Sequence, residues 1–467
     1  MGTLLNGFKI FMGQFELIMG VIVLIGLLIQ KKGAGDVIKG VIKAIVGVMI
    51  LKQGSTLLQA AYRPIMNILK EAFHITGVVT ENYAGMAAIN NNLIESVLSV
   101  IPIVMLVGFL FNLVFARFTP LKYVFLSGHT MLAFSTLVVW IFNWFFKVEG
   151  VTLILAASLF CGMYWTVMPA WVHRYAKPFV GNDFTLGHIS GTSAVFSTWI
   201  GKLMGRYNKT TNPKIHNEDE DTVNFKGIAT IFNDSTVVTC LLMTLILGGI
   251  ALIAGKDYIV EQQQLANITG NWVVYTLELG ASFTVGIVVL LTGVRMMIAE
   301  LVPAFKGISD KLIPDSIPGL DMPVFFPLAP MSSVLGFIGA FIGEFLGFAV
   351  LLLVRSPIMM IPGIIATFFD GGIAGVFGYK YGGKKAAFIS GIAVGLIQIL
   401  GGVFFTQMSG LAELGATYGN TDFGSIWLGI AGLMSLIRNI WVFLPILIVA
   451  FGVAIFLLKP KKEKSAA

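Results

Sequence analysis

Three polar positions in this chain have the residue types to hold a small hydroxylated molecule. They are His129 in Ser127-Gly128-His129-Thr130, His188 directly after Gly187, and Asp321 after Ile317-Pro318-Gly319. A neutral imidazole donates from one ring nitrogen and accepts at the other, which suits a polyhydroxylated ligand. A carboxylate takes two hydroxyl donors from one sugar-like molecule and so fixes orientation as well as affinity. Each position also has a plain structural alternative: a packing histidine, or for Asp321 a helix N-cap or loop charge. Asn82-Tyr83 adds an amide, a phenol and an aromatic face, with an ordinary turn as its alternative.

The elements that must position these groups are membrane helices. The sequence is 467 residues long, 56% hydrophobic and 12% charged, with a mean hydropathy of +0.87. No soluble core absorbs that much apolar sequence, and many windows reach the roughly 20 residues needed to cross a bilayer as helix. A histidine or aspartate at that depth is costly unless it faces protein or water, which makes His129, His188 and Asp321 functional candidates. Phe15–Gln30 has no small-residue cleavage site after it and is followed by Lys31-Lys32, so it reads as a retained helix.

Eleven spanning segments are expected, at 15–30, 37–60, 97–117, 122–144, 151–171, 234–254, 280–303, 331–354, 358–379, 385–406 and 440–459. The net charge of +7 comes mostly from short inter-helix loops and implies no nucleic-acid partner. It sets orientation instead, with the tail Lys459-Pro460-Lys461-Lys462-Glu463-Lys464 on the cytoplasmic side and the N-terminus outside. Residues 4–14 and 62–73 read as amphipathic helices along the interface.

An internal repeat organises these segments. Val46, Gly47, Leu51, Gly54, Ala60 and Pro64 recur 239 positions later as Val285, Gly286, Leu290, Gly293, Ala299 and Pro303. The same offset sets Gly108-Phe109 on Gly347-Phe348 and Asn82 on Asp321. An odd number of segments separates the repeats, so they are inverted, the arrangement in which two halves rock around a site between them. Loops 78–96 and 317–330, and 184–204 with 424–437, are then expected to dip toward the midplane as re-entrant hairpins, where only shielding by protein makes irregular backbone tolerable. The fold class is thus an all-α polytopic membrane protein, with a first repeat (1–201), a cytoplasmic connector (202–227), a second repeat (228–437) and a last helix with basic tail (438–467).

Other chemistry is sparse. Asp370-Gly371-Gly372 falls close to the counterpart of the His129 region and borders the site by that reckoning. Arg295, Glu300 and Glu344 are expected to pair with one another inside the bundle, a proton path being the alternative. No GxxxxGK[ST] loop is present, which argues against an ATP-driven pump. Glu218-Asp219-Glu220-Asp221 and His216 sit in the connector, which is too short for a folded catalytic domain. Cys161 and Cys240 lie in apolar runs and read as inert thiols, so no metal site and no cofactor are expected.

Several blocks resemble a known family. They are Val37-Ile38-Lys39-Gly40-Val41-Ile42-Lys43, Gly47-Val48-Met49-Ile50-Leu51-Lys52-Gln53-Gly54-Ser55, Leu126-Ser127-Gly128-His129, Ile231-Phe232-Asn233-Asp234, and Gly293-Val294-Arg295-Met296 through Leu312-Ile313-Pro314. In order and spacing they are similar to the ascorbate-specific permease, the IIC component, of the bacterial phosphoenolpyruvate-dependent phosphotransferase system. The resemblance implies a homodimer in the cytoplasmic membrane, each protomer sorted into a V-shaped dimerisation part and a core part. It also implies that sugar passing through the core is phosphorylated by a separate IIB subunit charged by IIA, so that the permease itself is not an enzyme. Substrate contacts carried over by the resemblance fall on Asn82, Tyr83, the stretch from His129 to Ala133, His188, Ile189 and Asp321.

This chain departs from the family pattern twice, with Ala133 and Ile189 where that pattern has glutamine. Either Ser190, Thr192 or Ser193 substitutes for the lost amides, or the ligand differs. L-ascorbate or a related sugar acid is the first expectation and a pentitol the second. A proton-coupled carrier using Asp321 or Glu300 is a third.

Overall fold

The computed structural model describes residues 14–72, 78–80, 82–207, 235–254, 271–311 and 313–460. Outside them lie residues 4–13 of the amphipathic N-terminal stretch, His216, the acidic run 218–221, the Ile231–Asp234 block and the tail beyond Pro460. The described residues begin with α1 (Phe15–Ile29), α2 (Ala34–Ala72), β1 (Val78–Val79), α3 (Asn82–Asn92), α4 (Glu95–Leu98) and α5 (Ile101–Phe118). They continue through β2 (Tyr123–Phe125), α6 (Gly128–Phe146), α7 (Gly150–Val180), β3 (Thr185–Leu186), α8 (Gly191–Tyr207), α9 (Ser235–Ala254) and α10 (Trp272–Lys311). Next come β4 (Ile317–Leu320), a 3-10 helix (Met322–Leu328), α11 (Pro330–Leu353), β5 (Met360–Ile361) and α12 (Ile364–Leu396). A π-turn (Ile397–Gly401) leads into α13 (Gly402–Met408), and α14 (Ile426–Ile437) and α15 (Ile440–Leu458) close the chain.

Among the described residues, seven helices are long and apolar enough to cross a membrane: Ser96–Phe118, Gly128–Phe146, Gly150–Val180, Trp272–Phe305, Pro330–Leu353, Ile365–Met408 and Ile440–Leu458. The chain is therefore a multi-pass helical membrane protein. Its expected segments 358–379 and 385–406 meet at Gly383, whose φ of 74° and ψ of −174° are non-helical and separate two helices there. Segment 37–60 and the stretch from residue 62 join into the single 39-residue α2, while α1 is only 15 residues long.

Helices α2 and α10 touch backbone to backbone. A Cβ on Gly47 would lie 2.7 Å from the Met297 nitrogen and 3.1 Å from the Gly293 carbonyl oxygen, while Gly54 faces Leu290. Rising numbers on one helix meet falling numbers on the other, so the pair is antiparallel. Without a hydrophobic drive between helices in lipid, such close van der Waals contact holds them together. Expected pairing among Arg295, Glu300 and Glu344 is not what the structure has. Glu300 pairs with Lys43 at 3.3 Å, Glu344 is fully buried and accepts from the Thr367 hydroxyl at 2.6 Å, and Arg295 is exposed. The reason is direction: α10 presents Glu300 to the side where α2 lies against it, whereas Glu344 faces the α11–α12 contact.

Two small parallel sheets sit inside this helical frame. One has strand order β2-β4-β3, with Tyr123 opposite Ile317, Phe125 opposite Gly319 and Thr185 opposite the same Gly319. The other joins β1 to β5 (Val78 opposite Met360) and continues through a bridge between Thr80 and Thr417. These pairings satisfy backbone groups that would otherwise lie unpaired in an apolar interior.

Candidate functional site

Parallel pairing in register puts the C-terminal ends of β2, β4 and β3 at one edge of their sheet. The residues that follow those ends must therefore converge. His129 lies four residues after Phe125, His188 two after Leu186, and Asp321 one after Leu320. His129 Nε2 is 3.6 Å from Asp321 Oδ2, and His188 Nε2 is 3.7 Å from Asp321 Oδ1. The imidazole rings lie 6.2 Å apart between centroids. His188 and Asp321 are almost wholly buried while the His129 side chain is 35% exposed, so the cluster is reached from the His129 side.

Local sequence explains how each group is held. Asp321 is the N-cap of the 3-10 helix, with Oδ1 accepting from the Met322 nitrogen at 2.8 Å. The capping alternative and the ligand reading are thus realised together, because the cap uses one lone pair and leaves others facing the histidines. Gly187 precedes His188 for a steric reason. A Cβ there would collide with the Gly319 carbonyl oxygen on β4, the strand that carries Asp321. His188 sits on the turn between β3 and α8, almost wholly buried beside the Asp321 carboxylate, and burial favours an uncharged ring.

A second polar layer lies behind His188. Its Nδ1 is 3.2 Å from Ser190 Oγ, and that hydroxyl donates to Asp370 Oδ1 at 2.5 Å. Asp370 also accepts from Asn420 Nδ2 at 2.8 Å, from the Thr421 nitrogen at 2.6 Å and from the Thr421 hydroxyl. Asn420 in turn accepts from Asn82 Nδ2, and Asn82 Oδ1 accepts from the Gly419 nitrogen at 3.1 Å. One hydrogen-bonded chain therefore joins Asn82 to His188, with Asp370 at its centre.

Asp422 anchors the same region. It accepts from the Tyr164 hydroxyl, from the backbone nitrogens of Gly191 (3.2 Å) and Thr192 (2.8 Å), and from the Thr192 hydroxyl at 2.5 Å. Those two nitrogens open α8, so the carboxylate sits at the positive end of that helix. It thereby fixes the turn that carries His188.

The remaining expected positions divide clearly. Ala133 and Ile189 are buried among apolar side chains, and the Ala133 carbonyl accepts from the Tyr418 hydroxyl at 3.1 Å. Tyr83 lies in α3 next to Asn82, but its side chain falls outside what is described. Ser190, Thr192 and Ser193 all donate elsewhere: to Asp370 Oδ1, Asp422, and the Asp370 carbonyl oxygen at 2.7 Å. The roles of Asn420, Thr421, Asp422 and Tyr164 were not foreseen from sequence. A signal for the first three exists: Thr417-Tyr418-Gly419-Asn420-Thr421-Asp422 echoes Thr185-Leu186-Gly187-His188-Ile189-Ser190 in its Thr-x-Gly start.

The cluster can bind hydroxyl donors, since Asp321 is an acceptor and a neutral imidazole has one accepting nitrogen. It also has the geometry for one divalent ion, because ligating atoms of His129, His188 and Asp321 all lie within 4.8 Å of one another. Among the described residues, neither Cys161 nor Cys240 is in a disulfide.

Comparison with known proteins gives the same direction. The family model for the sugar-specific permease component of the phosphotransferase system (EIIC-GAT) matches residues 10–424. The ascorbate-specific EIIC component of Mycoplasma pneumoniae (strain ATCC 29342 / M129 / Subtype 1) is 27% identical over 433 residues, covering 84% of this chain and 64% of that protein. This chain thus spans less than two thirds of that relative's length. A family match running through both polar layers and nearly every described helix leads to one conclusion: the chain belongs to the sugar-specific permease components of the phosphotransferase system.

Proposed function

We propose that this chain moves L-ascorbate, or a related sugar acid, inward for phosphorylation by a separate IIB protein that is charged by IIA. It acts as a transport subunit and not as the catalyst. The observation that carries the reading is the convergence of His129, His188 and Asp321 at one sheet edge, with His129 open to an entering ligand. The choice of ascorbate leans on the specificity of the Mycoplasma pneumoniae relative.

The same reading gives the chain eleven spans, built as inverted repeats 1–201 and 228–437 with a cytoplasmic connector at 202–227. A last helix and cytoplasmic tail (438–467) follow, and a homodimer with V-shaped and core parts sits in a bacterial cytoplasmic membrane. Support for the inverted repeats comes from α2 and α10, which carry the repeated block and run antiparallel. Further support comes from the sheets. The Thr80–Thr417 bridge stands where Gly319 pairs with Thr185, by offsets of 239 (319 − 80) and 232 (417 − 185). Those offsets also set Asn82 on Asp321 and Asn420 on His188, two pairs that face each other in the same way.

A pentitol is the second reading, and the surroundings of Ala133 and Ile189 favour it. Both side chains are apolar and buried, and the hydroxyls of Ser190, Thr192 and Ser193 are already donated within the protein. With those amide donors missing and acceptors in place, the site asks the ligand for hydroxyl hydrogens, which a polyol supplies in excess.

The test is labelled L-ascorbate uptake by membrane vesicles from cells producing this chain with the other phosphotransferase proteins. Uptake should require internal phosphoenolpyruvate, survive a protonophore and be outcompeted by the true ligand among sugar acids and pentitols. Uptake that ignores phosphoenolpyruvate and collapses with the protonophore would make the chain a proton-coupled carrier instead.

A further inference from the structure

His188 stands between two partners that dictate its protonation pattern. On one side, four donors converge on the Asp370 carboxylate: the Ser190 hydroxyl, Asn420 Nδ2, and the Thr421 nitrogen and hydroxyl. In every one of these contacts the carboxylate oxygen is the acceptor. The single Ser190 hydroxyl proton is therefore committed to Asp370 at 2.5 Å, which leaves an oxygen lone pair facing His188 Nδ1 at 3.2 Å. A contact between that lone pair and Nδ1 is favourable only if Nδ1 carries the ring proton.

The consequence appears on the opposite edge of the ring. A neutral His188 protonated on Nδ1 has a bare lone pair on Nε2, and Nε2 lies 3.7 Å from Asp321 Oδ1. Two acceptors then face each other, too far apart for a hydrogen bond between them and with no proton to share. Adjacent hydroxyl groups of a sugar resolve this, one donating to Nε2 and its neighbour to Asp321. The opposite tautomer would place an N–H toward Asp321, close that gap and use up the acceptor.

We propose that Ser190 and Asp370 are positioning residues which hold His188 in its Nδ1–H tautomer, so that its Nε2 accepts a hydroxyl hydrogen from a ligand carrying adjacent hydroxyl groups. This deepens the proposed function and rests on its placement of the sugar at the His129–His188–Asp321 cluster. It gives Asp370 a specific task, since the relay begins at a carboxylate and ends at the acceptor that reads the ligand. It also makes the hydroxyl-to-ring contact a determinant of specificity: a ligand with a methyl ether or a hydrogen at that position has nothing to donate.

The experiment is nitrogen NMR on the full chain labelled with 15N-histidine in detergent, without ligand, with the His188 signals assigned by their loss in His188→Asn. The expected spectrum shows protonated Nδ1 and bare Nε2, a change to the Nε2–H tautomer in Ser190→Ala, and restoration in Ser190→Thr. In parallel, Ser190→Ala should weaken L-ascorbate binding about tenfold, or about 1.4 kcal/mol, while Ser190→Thr stays near the native affinity. A native Nε2–H tautomer, or one unchanged in both Ser190→Ala and Asp370→Asn, overturns the proposal. A native Nδ1–H ring that switches in Ser190→Ala supports the positioning role even if L-ascorbate fails to bind, and that failure would count against the ascorbate reading alone.

Discussion

Replacing Asp321 by asparagine separates its two jobs. The carboxylate caps the 3-10 helix through Met322 and faces His129 and His188 at 3.6 and 3.7 Å. Asparagine is as good an N-cap as aspartate, so Asp321→Asn should keep fold stability within about 0.5 kcal/mol of the native protein. Alanine removes the cap as well and should cost about 0.5–2 kcal/mol. Binding behaves differently. A hydrogen bond to a charged acceptor contributes about 1.5–3 kcal/mol, so loss of the charge should weaken sugar binding roughly 10- to 150-fold. The amide that replaces one oxygen also turns a donor toward a ligand that itself donates, which pushes the effect to the upper end. The assay is calorimetric titration of L-ascorbate, with the best competitor from the uptake panel as a second ligand, beside a thermal melt in the same detergent. A folded Asp321→Asn protein that binds both ligands within twofold of native would refute the placement of the sugar at this carboxylate.

Three further outcomes follow from the same geometry. Gly187→Ala should lower the melting temperature and abolish binding, because its Cβ meets the Gly319 carbonyl oxygen; normal stability and affinity would show that β3 and β4 tolerate separation. Tyr164→Phe removes one of four donors to Asp422 and should cost about 1–3 kcal/mol, whereas Asp422→Ala strands all four buried donors and should yield little folded protein; equal yields of the two variants would count against the anchor. Zinc should bind the native protein and bind His188→Ala far more weakly, since the ion needs the bare Nε2 together with His129 and Asp321; equal zinc binding by the variant would place the ion elsewhere.

The polar candidates were legible in the sequence because polarity at membrane depth is rare. His129, His188 and Asp321 stood out singly, and the structure adds that parallel strands of two to four residues bring them together. Strands that short, set among glycine, proline and apolar residues, have no alternating pattern to read. Asp370 was noticed through the repeat offset and proved to be the hub linking Asn82 to His188. Asn420 and Asp422 were missed because their repeat relation to His188 and Ser190 uses an offset of 232 and not 239 (420 − 188 and 422 − 190). An insertion or deletion of a few residues between repeat blocks hides the partner from a fixed-offset comparison. Helix boundaries were legible at Gly383, where non-helical backbone separates two helices between the expected spans, but not near residue 61, where α2 runs on unbroken.

The most direct test is a cryo-electron microscopy map of the purified protein at saturating L-ascorbate, compared with a ligand-free map. Added density is expected between His129, His188 and Asp321, with two ligand hydroxyls within hydrogen-bonding distance of His188 Nε2 and Asp321. Ligand density at any other place, with this cluster unchanged between the two maps, would contradict the account.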